Sequence, residues 1–264
     1  MPTISCFILA YNERDKIVDA VSTVLWCDEV IVVDSGSTDG TAEAAIALGA
    51  RVVQVPFEGF GKLRNSALTH LTGDWVFSLD ADERCTVEAR DAMLRVASDP
   101  TSLSIWNVPR RNWFLGKWIR HSGWYPNFRQ PQFFRRGSMT YDNLPVHEGW
   151  IAAAGARVGV LPADIWQFPF ANIAQMVHKA NRYSSLGTAK VGQRKGIVRG
   201  VSHGGLQFFK HLILKGGVLD GRAGFLIAGA YFLQTFLKYA KRLEDGQAPP
   251  PSAGRIEAQV KRRT

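Results

Sequence analysis

Apolar positions in the first hundred residues follow two alternating rhythms. Short unbroken runs read as buried strands: Thr3–Ala10, Glu29–Asp34 around Val30-Ile31-Val32-Val33, Arg51–Val55 and Trp75–Leu79. Between them, Arg14–Leu25 carries Ile17, Val18, Val21, Val24 and Leu25 at helical spacing. Thr41–Leu48 is an Ala-rich helix closed by Gly49, Lys62–Leu71 is a helix ended by Gly73, and Thr86–Val96 follows the fourth strand. Strands separated by helices predict an α/β fold whose parallel sheet is covered on both faces. In such sheets ligands bind beyond the carboxyl ends of the strands.

The texture changes at Ser102. To about Leu161 the strands shorten and aromatic, Arg, Pro and Gly residues crowd together, as in Arg110-Arg111-Asn112-Trp113-Phe114, which is where an acceptor pocket is expected. Three helices are then predicted, over Ile173–Lys190, Val201–Leu214 and Ala223–Leu243. The Pro/Gly/Ser-rich segment 246–254 and the basic end Lys261-Arg262-Arg263 read as a tail without fixed structure. The expected organisation is one α/β domain over 1–165, a helical basic extension over 166–245 and a tail over 246–264.

Charge divides the chain more sharply than its total of +9 suggests: residues 1–100 balance at −8 and residues 101–264 at +17. An acidic half can hold a cation, and a basic half suits phosphate, anionic lipid or nucleic acid. The start of the chain lacks the cationic lead of a signal peptide, and no stretch reaches the ~18–20 apolar residues of a membrane span. Three scattered cysteines without a CxxC pair fit a reducing cytoplasm better than a disulfide framework.

Four short segments follow predicted elements where the sheet rule puts ligands: Tyr11-Asn12-Glu13, Asp34–Thr41, Gly61–Asn65 and Asp80-Ala81-Asp82-Glu83. Asp80 and Asp82 flank one small residue after a buried strand, so their oxygens can surround Mg²⁺ or Mn²⁺ together with water and phosphate. Alone, the pair reads more readily as an exposed acidic turn capping the Thr86 helix, and the other three segments shift the balance to a metal site. Asp34 at a strand end can accept a hydrogen bond from a nucleobase, and Lys62 and Arg64 offer cations to phosphates, or a solvated helix face. The tryptophans Trp113, Trp118 and Trp124 and Tyr125 suit either sugar stacking or core packing.

Together the four segments resemble glycosyltransferase family 2, in family order and spacing over about residues 1–150. The resemblance implies a GT-A Rossmann-like, mostly parallel sheet flanked by helices, with a C-terminal helical extension beyond it. It also implies a nucleotide-sugar donor, a divalent metal and inversion by single displacement. Tyr11, Glu13 and Asp34 then border the base with Arg64 nearby, and Asp80 and Asp82 are the metal pair, Asp82 the more direct ligand. Many relatives read Asp-Asp-Gly-Ser where this chain has Asp34-Ser35-Gly36-Ser37, so the second acid is missing. Asn12, Ser35, Lys62, Arg135 and Arg136 complete the expected donor set.

The family's base lies in an acidic pair well past the metal motif, which here matches His147-Glu148, with Glu148 as base and His147 in support. Phe57–Gly61, Arg135-Arg136, Val146-His147-Glu148, Lys179–Tyr183 and Leu219–Gly224 further resemble bacterial lipopolysaccharide core β-1,4-glucosyltransferases. That subgroup implies UDP-glucose as donor, a phosphorylated lipid A–core heptose as acceptor, and work at the cytoplasmic face of the inner membrane. The basic half suits such an anionic surface, and the apolar residues of the last helices lie either in the interface or against the core. Rival readings are a family 2 enzyme with a polyprenyl-phosphate or polysaccharide acceptor, and a basic nucleic-acid-binding protein. No zinc spacing, helix-turn-helix or RNP-type motif supports the last, and no nucleic acid is expected.

Overall fold

The chain opens with the expected alternation: β1 (Ile4–Ala10), α1 (Arg14–Ser22), β2 (Glu29–Asp34), α2 (Thr41–Ala47), β3 (Arg51–Gln54), α3 (Phe60–Thr69) and β4 (Trp75–Asp80). The computed structural model describes residues 1–128, 130–142, 149–188 and 196–244. These fall into two compact units, Met1–Ala171 and a second that begins at Asn172.

β1 is buried along its whole length, and its period of two feeds two cores. Ile4, Cys6, Ile8 and Ala10 meet Ile17 and Val21 of α1 and Ala45 of α2 on one face. Phe7 and Leu9 meet Leu63 and Ala67 of α3 on the other. Each buried Val, Leu, Ile or Phe contributes roughly 1.5–3 kcal/mol, so a strand buried on both faces is anchored firmly. β1 pairs in parallel with both β2 and β4, and β2 with β3. The chain segments after β1, β2 and β4 therefore leave the same edge of the sheet side by side.

The sheet continues through shorter strands. β5 (Glu83–Arg84) and α4 (Val87–Ser98) lead to β6 (Ile105–Asn107), β7 (Arg110–Phe114), β8 (Lys117–Trp118) and β9 (Phe133–Arg135). β10 (Met139–Tyr141), β11 (Trp150–Ala152), β12 (Val158–Val160) and β13 (Ile165–Gln167) complete the unit. Seven strands lie in the order β12-β6-β9-β4-β1-β2-β3, and β9 runs against both its neighbours. This is the mostly parallel, helix-flanked sheet that the family resemblance implies. A smaller sheet, β5-β13-β7-β8, grows from the two residues that follow the acid pair. The short strands expected from Ser102 thus extend the main sheet and build this second one.

Helix ends differ from expectation where side chains intervene. α1 stops at Ser22 because the Ser22 and Thr23 hydroxyls turn back onto the Val18 and Ala20 carbonyls. Thr86 is the N-cap of α4 rather than its first residue, and its Oγ1 accepts from Ala89 N at 3.1 Å.

The second unit holds α5 (Ile173–Gly187), α6 (Ile197–Phe209) and α7 (Arg222–Ala240). The segment expected as one helix over Val201–Leu214 begins earlier and widens into a π-helical turn at Lys210–Leu214. That turn leaves His211 buried, stacked on Tyr231 with 3.6 Å between ring centroids. α6 and α7 approach through glycines: a Cβ on Gly204 would stand 2.9 Å from the Phe232 ring, and one on Gly200 3.1 Å from the Phe236 carbonyl. Among the described residues no helix is long and apolar enough to cross a membrane.

Candidate active site

The loops after β1 and β2 are knitted into one frame. Asn12, at a φ of 52°, donates its N–H to Ser37 Oγ at 2.8 Å and accepts from Thr38 N at 2.9 Å. Glu13 N reaches Thr41 Oγ1 at 2.9 Å, and Arg14 N reaches Asp39 Oδ2 at 3.0 Å. Asp34, fully buried at the end of β2, accepts from Ser37 N at 3.1 Å, from the Ser37 hydroxyl and from Gln54 Nε2 at 2.8 Å. Its carboxylate thus shapes the loop that borders the site. Beside it the Ser35 hydroxyl is buried without a hydrogen-bond partner, and Tyr11 is 62% exposed. Glu13 pairs with Lys16 at 2.7 Å.

Next to this frame, Asp80 closes β4 and Asp82 stands two residues beyond. Arg64 does not lie on a solvated helix face; it is 4% exposed and holds Asp80 Oδ1 at 2.8 Å and Ser78 Oγ at 2.8 Å. With the Gln130 amide oriented to satisfy both its ends, its oxygen accepts from Arg64 Nε at 2.9 Å. The guanidinium also sits over the Tyr141 ring, 5.6 Å from its centroid. Asp82 Oδ1 accepts from Gln167 Nε2 at 3.3 Å, and its carbonyl from Phe168 N at 2.8 Å. Arg64 thus fixes Asp80 from α3 while Gln167 meets Asp82 from the smaller sheet.

Glu83 forms the floor. It is fully buried, accepts from Asp80 N at 2.9 Å and Gln132 Nε2 at 2.8 Å, and lies 2.7 Å from Arg110 Nε. Burial pushes its carboxyl up to about 7; Asp80 and Asp82 add to the rise, and Arg110 opposes it. Burial likewise pushes the Cys85 thiol up to about 12, which keeps it a neutral thiol.

The residues present fit a hard cation. Among the described residues no cluster of three or more metal-ligating side chains is assembled. Two part-exposed aspartates are, however, what Mg²⁺ or Mn²⁺ requires when diphosphate oxygens and water supply the remaining positions.

Other expected donor residues lie apart. Lys62 pairs with Glu58 at 2.9 Å on the exposed side of α3. Arg135 pairs in register with Trp75, at the opposite end of β4 from Asp80, about 17 Å along the strand. There it stacks over Trp75, and Arg136 donates to the Gly73 carbonyl at 2.9 Å. The structure does not bring these arginines to the acid pair. Trp118 lies between Arg111 and Arg120, and Trp113 packs on Trp166, so these rings are occupied by their neighbours. His147 and Glu148, the expected base pair, lie outside the described residues.

Sequence reading missed Gln54, Gln130, Gln132 and Arg110 as parts of the site, with Glu83 entering only as the end of the acidic segment. Only Ser37 had a local signal, a hydroxyl three residues after a strand-end Asp.

A parallel α/β sheet with an acid pair at the end of its central strand is the layout of a GT-A glycosyltransferase. The model of Glycosyl transferase family 2 matches residues 5–161, more than half of the chain, and the chain belongs to that family. It is 28% identical to the lipopolysaccharide core biosynthesis glycosyltransferase LpsC of Rhizobium meliloti, over 90% of this chain and 91% of LpsC. An uncharacterized glycosyltransferase of Rickettsia felis is 28% identical over 92% of this chain and 90% of its own. Glucosyl-3-phosphoglycerate synthase of Mycobacterium tuberculosis, solved with Mn²⁺, UDP and glucosyl-3-phosphoglycerate, is similar over 42% of this chain and 44% of its own. That likeness has 30% identity and a TM-score of 0.37.

Proposed function

We propose that the chain is a metal-dependent, inverting hexosyltransferase that moves glucose from UDP-glucose onto a lipopolysaccharide inner-core heptose, forming a β-glycosidic bond. One observation carries the reading. Asp80 and Asp82 stand at the end of the central strand with Asp80 clamped by a buried arginine, in a chain that aligns over 90% of its length with a lipopolysaccharide core enzyme.

In this reading Tyr11, Asn12, Glu13, Asp34 and Ser35 border the nucleotide, and Asp80 and Asp82 hold Mg²⁺ or Mn²⁺ at the diphosphate. The cation stabilises the charge that develops on the leaving group. The acceptor hydroxyl oxygen attacks the anomeric carbon opposite the diphosphate, the bond from that carbon to the phosphate oxygen breaks, and UDP leaves. Attack from the far side inverts the configuration. Glu148 takes the hydroxyl proton, with His147 in support. Arg64 fixes one acid by charge pairing, so the pair is set before the donor arrives. The acceptor is a phosphorylated glycolipid at an anionic membrane surface, on the cytoplasmic face of the inner membrane, and the basic helical unit serves that surface.

The test is thermal protection by UDP-glucose, UDP-galactose, UDP-GlcNAc, GDP-mannose and ADP-heptose, each with Mn²⁺ or with EDTA. Metal-dependent protection by UDP-glucose, absent in Asp82→Ala, is the expected result. Protection by a different donor, or protection that survives EDTA, overturns the corresponding part. Glucose transfer to heptose-terminated lipopolysaccharide, read by mass and lost in Glu148→Gln, tests the acceptor and the base.

A further inference from the structure

The second unit turns its chain inside out at one end. Between Gly204 and Gly224 the buried residues are small or polar: Gly204, His211, Gly217, Asp220, Ala223 and Gly224. Most of the large apolar ones face outward, while Phe208 and Leu212 are half-buried. Leu214 is 71% exposed, Leu219 66% and Leu206 65%, and Phe209, Ile213 and Val218 are exposed with them. On α6 and its π-helical continuation, Leu206, Phe209 and Ile213 recur at helical spacing and share one side. The Phe208 and Phe225 rings meet at 5.4 Å, which joins the end of α6 to the start of α7. An apolar surface gathered this way marks an interaction site.

Charge points to the kind of partner. Lys210, Lys215 and Arg222 stand among these residues, while Asp220, the sole acid between residues 196 and 243, is buried. Burial and the nearby Lys210 charge both lower the Lys215 ammonium, so two like charges stand close together where an anion would relieve them. An apolar tip ringed by cations with no exposed acid complements an anionic bilayer: acyl chains for the Leu, Ile and Phe side chains, phosphates for the ammonium and guanidinium groups.

We infer that the tip formed by Leu206, Phe209, Ile213, Leu214, Val218 and Leu219 inserts into the interface of an anionic bilayer, with Lys210, Lys215 and Arg222 at the headgroup phosphates. This deepens the membrane-surface reading above and rests on it for its role in the cell, yet it requires neither donor nor acceptor. The tip lies in the interface and does not span it.

Flotation of the full chain with vesicles of phosphatidylethanolamine and phosphatidylglycerol, free of glycolipid, donor and metal, separates this inference from the transferase reading. Binding is expected, with little to neutral phosphatidylcholine vesicles. Leu214→Glu/Leu219→Glu and Lys210→Glu/Lys215→Glu should each weaken it about tenfold or more. Unchanged far-UV circular dichroism and melting show that each variant folds. Leu214→Ala/Leu219→Ala, which adds no charge, should weaken binding less but in the same direction. Undiminished binding by the Glu variants, or equal binding to neutral vesicles, overturns the inference. So does a dimer in solution that Leu214→Glu/Leu219→Glu dissociates, because the tip would then be a contact between two copies.

Discussion

At the carboxyl edge of the sheet, Arg64, Glu83 and Arg110 are ionisable, buried and set against partners. At the tip of the helical unit, Leu206, Leu214 and Leu219 are apolar and exposed, while glycines, His211, Asp220 and Ala223 are buried. Both placements oppose the usual sorting of residues, in which charges stay outside and large apolar groups go in. Buried charge is tolerable where partners are fixed, and it sets Asp80 rigidly. Exposed apolar surface is tolerable where something else covers it. The first region draws its charge partners from its own fold, whereas the second is built for an outside surface.

The largest effect should come from breaking the buried pair. Arg110→Met leaves the buried Glu83 carboxyl without the cation that favours its ionised form, and breaking such a pair costs about 3–5 kcal/mol where the carboxyl is ionised. Urea unfolding above about pH 8, where folded Glu83 has lost its proton, measures it. Arg110→Met/Glu83→Leu, which removes both charges, should recover most of the loss. A small loss in the single variant would mean that water reaches Glu83 and that the floor is not dry.

The second region breaks sterically. A Cβ on Gly224 would fall 1.9 Å from the Gly217 carbonyl oxygen, which is backbone and cannot rotate away. Gly224→Ala should therefore cost at or above the upper end of the ~1–3 kcal/mol of ordinary overpacking. Its midpoint in urea should fall while the slope stays constant. If Gly224→Ala is silent, the turn into α7 is looser than its packing implies, and the rigid tip with it.

How much of this contrast the sequence disclosed follows from the distance over which each feature acts. The strand–helix alternation and the segments Tyr11–Glu13, Asp34–Thr41 and Asp80–Glu83 are local chemistry, and the structure sets all three at adjacent strand ends. Arg64 reads as a cation for phosphate near the base or as part of a solvated face, because helical spacing does not say which side meets Ser78 and Asp80. Arg110 reaches Glu83 only because β13 lies between β5 and β7 in the smaller sheet, a pairing that no spacing of residues announces. Arg135 and Arg136 were matched by motif alone, and the antiparallel run of β9 carries them to the far end of β4. At the tip, an apolar helical pattern reads alike whether it faces inward or out, and only the glycine-lined α6–α7 contact decides.

A pH series sharpens the first region further. With its carboxyl raised to about 7, folded Glu83 keeps a proton that the unfolded chain releases in the ordinary carboxylate range. The stability this contributes is full below that range and is lost as pH rises through about 7. Glu83→Gln cannot titrate, so the wild type should lose stability relative to it between about pH 5 and pH 8. The loss is roughly 1.4 kcal/mol for each pH unit that separates the folded from the unfolded titration. Parallel profiles would mean that Arg110 holds the carboxylate ionised throughout.

The smallest expected effect has the opposite sign. Gly205 follows Gly204 in α6, yet a Cβ on it would meet nothing within 4 Å, whereas one on Gly204 would press on Phe232. Gly205→Ala should then gain up to about 1 kcal/mol from helix propensity and from a less flexible unfolded chain. Gly204→Ala should lose stability unless the Phe232 ring turns aside. The pair reads the two sides of one helix in adjacent residues. If Gly205→Ala instead weakens the fold at high protein concentration but not on dilution, the outer side of α6 is covered by a second copy of the chain. The exposed apolar surface would then belong to an assembly and not to a membrane.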